Sequence, residues 1–318
     1  MSNIYDEIIS SNSILLLTHE SPDGDAIGSL MGMYHMLINI NKKVDAVVPE
    51  MPETFLFLNS IEKVITKSDN EYDLAIVLDC ANKERIGQTN NEFDSCKKSI
   101  IIDHHLSNQE FGDVNYVEGD TSSCCQVLYY LFKEWGIDIT EKIGEALAVG
   151  MLTDTSGFRN NNTDKNTFLM ASELTDIVDI HKIYYLVLSK KSMSQYLLMK
   201  MTLDRLEILH DGKIAFSYIS EEDMANVGAK MGDHEGLVDL GRNIGGVEVS
   251  IFMRECSDCY RISLRSNGLV NVNEIAKKFG GGGHKMAAGI KLTANFKETK
   301  NNLINAIKEE LDKQWMVF

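Results

Sequence analysis

Three short, almost wholly apolar runs in the first half of the chain each end in residues able to bind metal. Ile14-Leu15-Leu16-Leu17 leads into Thr18-His19 and then Ser21-Pro22-Asp23-Gly24-Asp25; Ala75-Ile76-Val77-Leu78 leads into Asp79; Ile100-Ile101-Ile102 leads into Asp103-His104-His105. Runs this short and this apolar suit strands of a parallel sheet covered on both faces. A fourth run, Val44 to Val48, and the helical spacing of apolar residues over Ala26 to Ile40 complete a strand–helix–strand pattern. Such sheets bring the carboxyl ends of their strands to one edge, where ligands bind. Charged groups converging there repel one another unless cations hold them.

Each feature has an ordinary reading by itself. Asp-Gly-Asp is often a turn, and an aspartate after a strand often caps a helix. Three strand ends carrying ligands in this order make a joint signal. Asp154, in Gly150-Met151-Leu152-Thr153-Asp154-Thr155, is a fourth candidate. A mixture of carboxylates and imidazoles suits intermediate divalent ions such as Mn²⁺, with Mg²⁺ or Co²⁺ as alternatives. Two such ions, about 3.5–4 Å apart, can share a bridging carboxylate and activate water against phosphorus.

At 318 residues the chain is long for one core and comfortable for two. The pattern from Thr121 to Met201 is mostly helical, and Ser192 to Leu209 reads as one long amphipathic helix. Beyond it, Lys213 to Ile219, Val247 to Arg254 and Tyr260 to Arg265 read as strands, and Val272 to Phe279 and Phe296 to Trp315 as helices. The fold class expected is α/β: a parallel-sheet domain with helices on both faces over 1–190, a helical linker over 191–210, and a smaller α+β domain over 211–318.

The net charge of −16, from 31 basic and 47 acidic residues, argues against wrapping of long nucleic acid, which calls for a basic footprint. A nucleic-acid substrate should be short and held by local contacts. No signal-peptide core precedes Ser13, no run approaches a membrane helix, and the six scattered cysteines suggest reduced thiols, so a cytoplasmic location is expected. Cys256-Ser-Asp-Cys259 has no second pair nearby and reads as two strand or turn positions.

Asp103-His104-His105 resembles the signature of the DHH phosphoesterases. His19-x3-Asp23-Gly24-Asp25, Leu78-Asp79 and Leu152-Thr153-Asp154-Thr155 resemble the flanking motifs, and Gly280-Gly281-Gly282-Gly283-His284-Lys285-Met286-Ala287-Ala288-Gly289 resembles the glycine-rich hallmark of the associated DHHA1 domain. The resemblance runs from about His19 to Gly289 and is nearest the bacterial nanoRNase branch, which hydrolyses very short RNAs (about two to five nucleotides) and the 3′-phosphate of 3′,5′-adenosine bisphosphate (pAp). It implies an active site in the cleft between the two domains. It implies one metal on His19, Asp23 and Asp79 and another on Asp25, Asp79, His104 and Asp154, with Asp79 bridging. Asp103 would orient a histidine, and His105 would face the scissile phosphate. A homodimer is compatible with the family.

Glycines at 280–283 let backbone N–H groups approach an anion, and a helix starting near His284 would favour a phosphate there. The resemblance implies that this domain holds the nucleotide end remote from the metals, with Gly281, Gly282, Gly283, His284 and Arg265 as the candidates, and Arg159 is a further candidate to reach the cleft. Ser122 and Asn271 are weaker candidates. His35, His181, His210 and His234 lie in no motif. Three other functions compete: hydrolysis of linear or cyclic di-adenylate by the same site, pyrophosphate hydrolysis on the same scaffold, and non-catalytic nucleotide binding. The glycine motif speaks against the second, and an unbroken ligand set against the third.

Overall fold

The computed structural model describes residues 2–230 and 232–315. The chain divides into two compact units, Met1–Lys190 and Lys191–Phe318.

In the first unit, helix α1 (Ser2–Ser10) precedes strand β1 (Ser13–Leu17), helix α2 (Gly24–Asn39) and strands β2 (Lys43–Ala46) and β3 (Leu74–Leu78). Helix α3 (Asn90–Ser95), β4 (Ser99–Asp103) and β5 (Val114–Val117) follow, then helices α4 (Cys124–Glu134), α5 (Glu141–Asp154), α6 (Lys165–Thr175) and α7 (Ile180–Tyr184). The five strands form one parallel sheet in the order β2-β1-β3-β4-β5. Alternation along β1 sends Ile14 and Leu16 into one core, with α2, α4 and α5, and Leu15 and Leu17 into a second core on the other face. Both faces are buried, which is why these strands read as unbroken apolar runs. The order changes direction between β1 and β3, the place where open α/β sheets leave a crevice for ligands.

Helices α2 and α5 pack closely because their facing residues are small. A Cβ on Gly28 would lie 2.5 Å from the Ala146 carbonyl oxygen and 2.9 Å from the Gly150 nitrogen, both backbone atoms. Gly28→Ala should therefore push the helices apart and cost about 1–3 kcal/mol, read as a lowered unfolding temperature. An unchanged temperature would mean that the helices can separate freely.

The second unit runs α8 (Met193–Asp204), β6 (Glu207–Leu209), β7 (Ile214–Ile219), α9 (Glu221–Asn226), α10 (Leu237–Arg242), β8 (Val249–Cys256), β9 (Cys259–Ser266), α11 (Val272–Lys278), β10 (Gly282–His284), β11 (Ala287–Leu292) and α12 (Phe296–Trp315). Its mixed sheet has the order β10-β11-β9-β8-β7-β6. One face packs on α11 and α12 through Ile251, Leu264, Ile275 and Leu303; part of the other packs on α8 and α10 through Phe252, Leu198 and Leu237.

Two expectations are corrected here. The helix expected over Ser192 to Leu209 ends at Asp204, and Glu207–Leu209 instead pairs antiparallel with β7. No helix begins near His284: residues 282–284 are edge strand β10, and the preceding helix closes at Lys278. A glycine run has no Cβ to pack, so the hydrogen bonds of a hairpin determine its conformation. Cys256 and Cys259 face each other across the β8–β9 turn as free thiols. Among the described residues, no helix is long and apolar enough to cross a membrane.

Candidate metal centre

The carboxyl ends of β1, β3 and β4 converge with the start of α2 and the end of α5. Asp23 caps α2, accepting from the amides of Asp25 (3.0 Å) and Ala26 (3.1 Å). This cap turns Asp25 inward, where it is 1% exposed. Asp25 accepts from the backbone N–H groups of Cys124 (2.6 Å) and Cys125 (2.9 Å), at the positive end of α4. A Cβ on Gly150 would lie 2.4 Å from Asp25 Oδ1, so only glycine leaves room for this carboxylate.

Asp79 directly follows β3 with φ of 54°, a left-handed conformation that costs a non-glycine residue about 1–2 kcal/mol. Strain of this kind concentrates at functional sites. Asp79 is 2% exposed, and its Oδ1 is buried without a hydrogen-bond partner. An unmet acceptor of this sort costs free energy unless something else occupies it.

The histidines surround that oxygen. His104 Nε2 stands 3.6 Å from Asp79 Oδ1, 3.7 Å from Asp25 Oδ2 and 3.6 Å from Asp154 Oδ2. These gaps are too long for hydrogen bonds. They are close to the roughly 3.0–3.5 Å that separates two ligand atoms on one cation when each bond is near 2.1 Å. His19 gives its Nδ1 to the Glu20 carbonyl at 2.9 Å, leaving Nε2 3.9 Å from Asp79 Oδ2 and 4.0 Å from Asp23 Oδ1. His19 with Asp23 and Asp79, Asp25 with His104 and Asp154, and Asp79 with His104 and His105 each place three ligand atoms within 4.8 Å of one another. The residues present fit divalent cations.

Electrostatics point the same way. Burial, then the charges of Asp25, Asp23, Asp103 and Asp154, push the Asp79 carboxyl well above its ordinary range. Burial likewise raises Asp25, and it raises Asp154 to about 8 with help from Asp25 and Asp23. Asp154 closes α5, where the negative helix end opposes a carboxylate further. Burial lowers His19. Crowded acids that resist ionising beside the His19 imidazole, which resists protonation, make a site arranged for added positive charge.

Asp103 differs. It is fully buried, yet it accepts from His105 Nδ1 (2.7 Å), Asn108 Nδ2 (2.6 Å) and the His104 amide (2.8 Å). Burial pushes it up, but these donors win and hold it below the ordinary carboxylate range. The pairing outweighs burial at His105 as well and raises its pKa.

All eight residues expected from β1, α2, β3, β4 and α5 thus lie together in the first unit. Arg159 stands in the turn that follows α5. Arg265, on β9, and Gly281, Gly282, Gly283 and His284 belong to the second unit; Arg265 is half-buried with one Nη1 bond to the Leu264 carbonyl, and His284 is exposed. Ser122 is buried and bonds Gln126, and Asn271 caps α11. The sequence did not reveal three supports. Asn108 ties Asp103 to the Cys80 carbonyl. Asn162 bonds the backbone of Asp154 and of Ser122. Arg85 acts by charge on His19 and His105. Only Asn108, five residues after Asp103, was near enough to a motif to be noticed.

Residues 13–151 match the DHH family, N-terminal domain, and residues 211–313 match the DHHA1 domain. The bifunctional oligoribonuclease and PAP phosphatase NrnA of Thermus thermophilus is 30% identical, over 94% of this chain and 90% of its own length. The chain belongs to the DHH/DHHA1 phosphoesterase family. The protein of the same name from Bacillus subtilis is 31% identical over 87% of this chain and 88% of its own. A crystal structure of an exopolyphosphatase-related protein from Bacteroides fragilis superposes on this DHH/DHHA1 chain with a TM-score of 0.90, at 28% identity, over 98% of this chain and 95% of that one.

Proposed function

We propose that this DHH/DHHA1 chain is a two-metal phosphoesterase that hydrolyses very short oligoribonucleotides to mononucleotides and removes the 3′-phosphate of pAp. The observation that carries the reading is the buried, unpartnered Oδ1 of Asp79 among three histidines and four further aspartates. The relatives named for these two activities, similar over most of their length, support the substrate class.

His19, Asp23 and Asp79 would hold one cation, and Asp25, Asp79, His104 and Asp154 the other. The mixed ligand set suits Mn²⁺. Bound there, divalent cations polarise phosphoryl oxygens and lower the pKa of water. Asp103 accepts a hydrogen bond from His105 Nδ1–H, which orients the ring and favours its imidazolium form, and in that form Nε2–H donates to the phosphate or leaving oxygen. Arg159 contacts the substrate, and Arg265, Gly281, Gly282, Gly283 and His284 hold its far end.

His105→Ala should lower turnover about 10²–10⁴-fold while leaving bound Mn²⁺ unchanged. Equal loss of metal and turnover would make His105 a ligand instead. The substrate reading is tested by hydrolysis of 5′-labelled RNAs from a dinucleotide to about a 20-mer, with pAp and cyclic di-AMP in parallel, in Mn²⁺ and in chelator. Mn²⁺-dependent loss of the shortest RNAs and of pAp, with the long RNA spared, is expected. Fast cyclic di-AMP cleavage with slow RNA turnover would replace the substrate class and keep the site.

A further inference from the structure

The second unit contains a pocket of about 550 Å³ lined by Arg254, Arg261, Lys291 and His234, with Gly282 and Gly289 in its floor. None of these residues belongs to the proposed metal-binding set; the pocket shares Gly281 and Gly282 with the proposed far-end substrate site, while neither His284 nor Arg265 lines it. Arg254 on β8 is the register partner of Arg261 on β9, and Arg261 that of Lys291 on β11. Directly opposed residues point to the same face, so three cations stand in one row across three strands, spanning about 10 Å. Like charges opposite one another destabilise a sheet. No acidic side chain lines the pocket, and among the described residues no ion pair involves any of the three. The row stands out in a chain of net charge −16.

A basic row can be merely a solvated face, but two buried atoms argue otherwise here. Arg254 Nε and His234 Nδ1 are both buried with no hydrogen-bond partner. Asp233, next to His234, is already engaged by Ser194 Oγ (3.0 Å) and the Lys230 amide (2.8 Å). Burial, then the charges of Arg254 and Arg261, lowers the His234 pKa to about 4, so the imidazole is neutral at pH 7 in a locally positive field. The floor carries no side chains: Gly282 is the register partner of Gly289, and a Cβ on Gly282 would meet nothing closer than Asn273 Oδ1 at 3.9 Å. The volume is that of a small-molecule site.

We propose that this pocket binds a diphosphate group, with Arg254, Arg261 and Lys291 on the phosphoryl oxygens and His234 as a hydrogen-bonding wall. Guanidinium groups match phosphate oxygens in bidentate fashion, and three cations offset the two to three negative charges of a diphosphate. The bare glycine floor admits a flat ring beside it, so the diphosphate is either inorganic or part of a nucleotide, and the two are separable by experiment.

The test is calorimetric titration of the metal-free full-length chain, in which the anion is neither hydrolysed nor sequestered, with inorganic pyrophosphate and, separately, with adenosine 5′-diphosphate. One anion per chain is expected to bind at neutral pH. Arg261→Ala combined with Lys291→Ala, at two exposed positions, should weaken binding at least about tenfold with an unchanged unfolding temperature. Lys291→Arg alone should retain most of the binding, and Lys67→Ala, at an exposed position of the first unit, should leave it intact. Tighter binding of the nucleotide would identify a nucleotide diphosphate, and equal binding the inorganic ion. Absence of binding by either anion, equal binding by the double variant, or equal loss in Lys67→Ala would overturn the proposal. Because the titration involves no metal and no turnover, it can fail while the phosphoesterase reading stands.

Discussion

Asp79→Ala is expected to lower the turnover of short RNA and of pAp by at least about 10⁴-fold, a loss of roughly 5 kcal/mol of barrier reduction. Among the described residues, Asp79 is the one side chain within reach of His19, His104 and His105, at 3.9 Å, 3.6 Å and 3.5 Å. Its removal disturbs both proposed cation sites at once. Loss of Asp23 removes a carboxylate from only one, so Asp23→Ala should be milder. The folded state of the Asp79 variant should survive or gain stability, because the lost group is a buried acid at a strained position. A variant that stays folded and turns over near the normal rate would refute the bridging assignment.

Added Mn²⁺ should raise the unfolding temperature, and more at pH 8 than at pH 5.5. Asp25, Asp79 and Asp154 have raised pKa values in the folded chain, Asp154 to about 8. The metal-free folded chain therefore holds more protons than the unfolded chain above about pH 4, the ordinary aspartate value, and stability falls as pH rises towards 8. Asp103 and Asp223, held low by their partners, act in the opposite direction, but their contribution is complete above about pH 4 and fades only below it. The lowered imidazoles of His19, His35 and His234 also act in the opposite direction, but only up to their ordinary pKa of about 6.5; from about pH 6.5 to 8 the raised acids decide the sign. Cations require ionised ligands, so their binding strengthens over the same interval. At 1,000 times Kd the ion contributes about 4 kcal/mol, or about 8–16 °C for a unit of this size. A metal-free unfolding temperature that rises from about pH 6.5 to 8, or an equal Mn²⁺ shift at about pH 5.5 and 8, would contradict this.

The clustering of the proposed metal ligands was legible because parallel strands buried on both faces declare themselves as apolar runs, and the residue after each run must lie at the sheet edge. Strand β5 gave no such signal. Val114–Val117 is half-exposed at the sheet margin and contains Asn115, so it lacks both an apolar run and a clean alternation. The boundary between α8 and β6 was hidden because Ile208 and Leu209 prolong the helical spacing of apolar residues; only pairing with β7 turns them into a strand. At His284 the glycines carried too little side-chain information to distinguish a helix start from a hairpin edge. The cationic row was invisible for another reason: Arg254, Arg261 and Lys291 become neighbours only through the register of three antiparallel strands. The amide cradle of Asp25 likewise depends on the start of α4, about 100 residues away in sequence.

The central claim is that one buried carboxylate joins two cations. It is tested most directly by Mn²⁺ content per chain after dialysis, together with the electron paramagnetic resonance spectrum of the bound ions, in the unaltered chain and in Asp79→Ala. Two ions per chain with an exchange-coupled spectrum, falling to one or none without coupling in the variant, is the expected result. A single uncoupled ion in the unaltered chain, or two coupled ions persisting without Asp79, would contradict it.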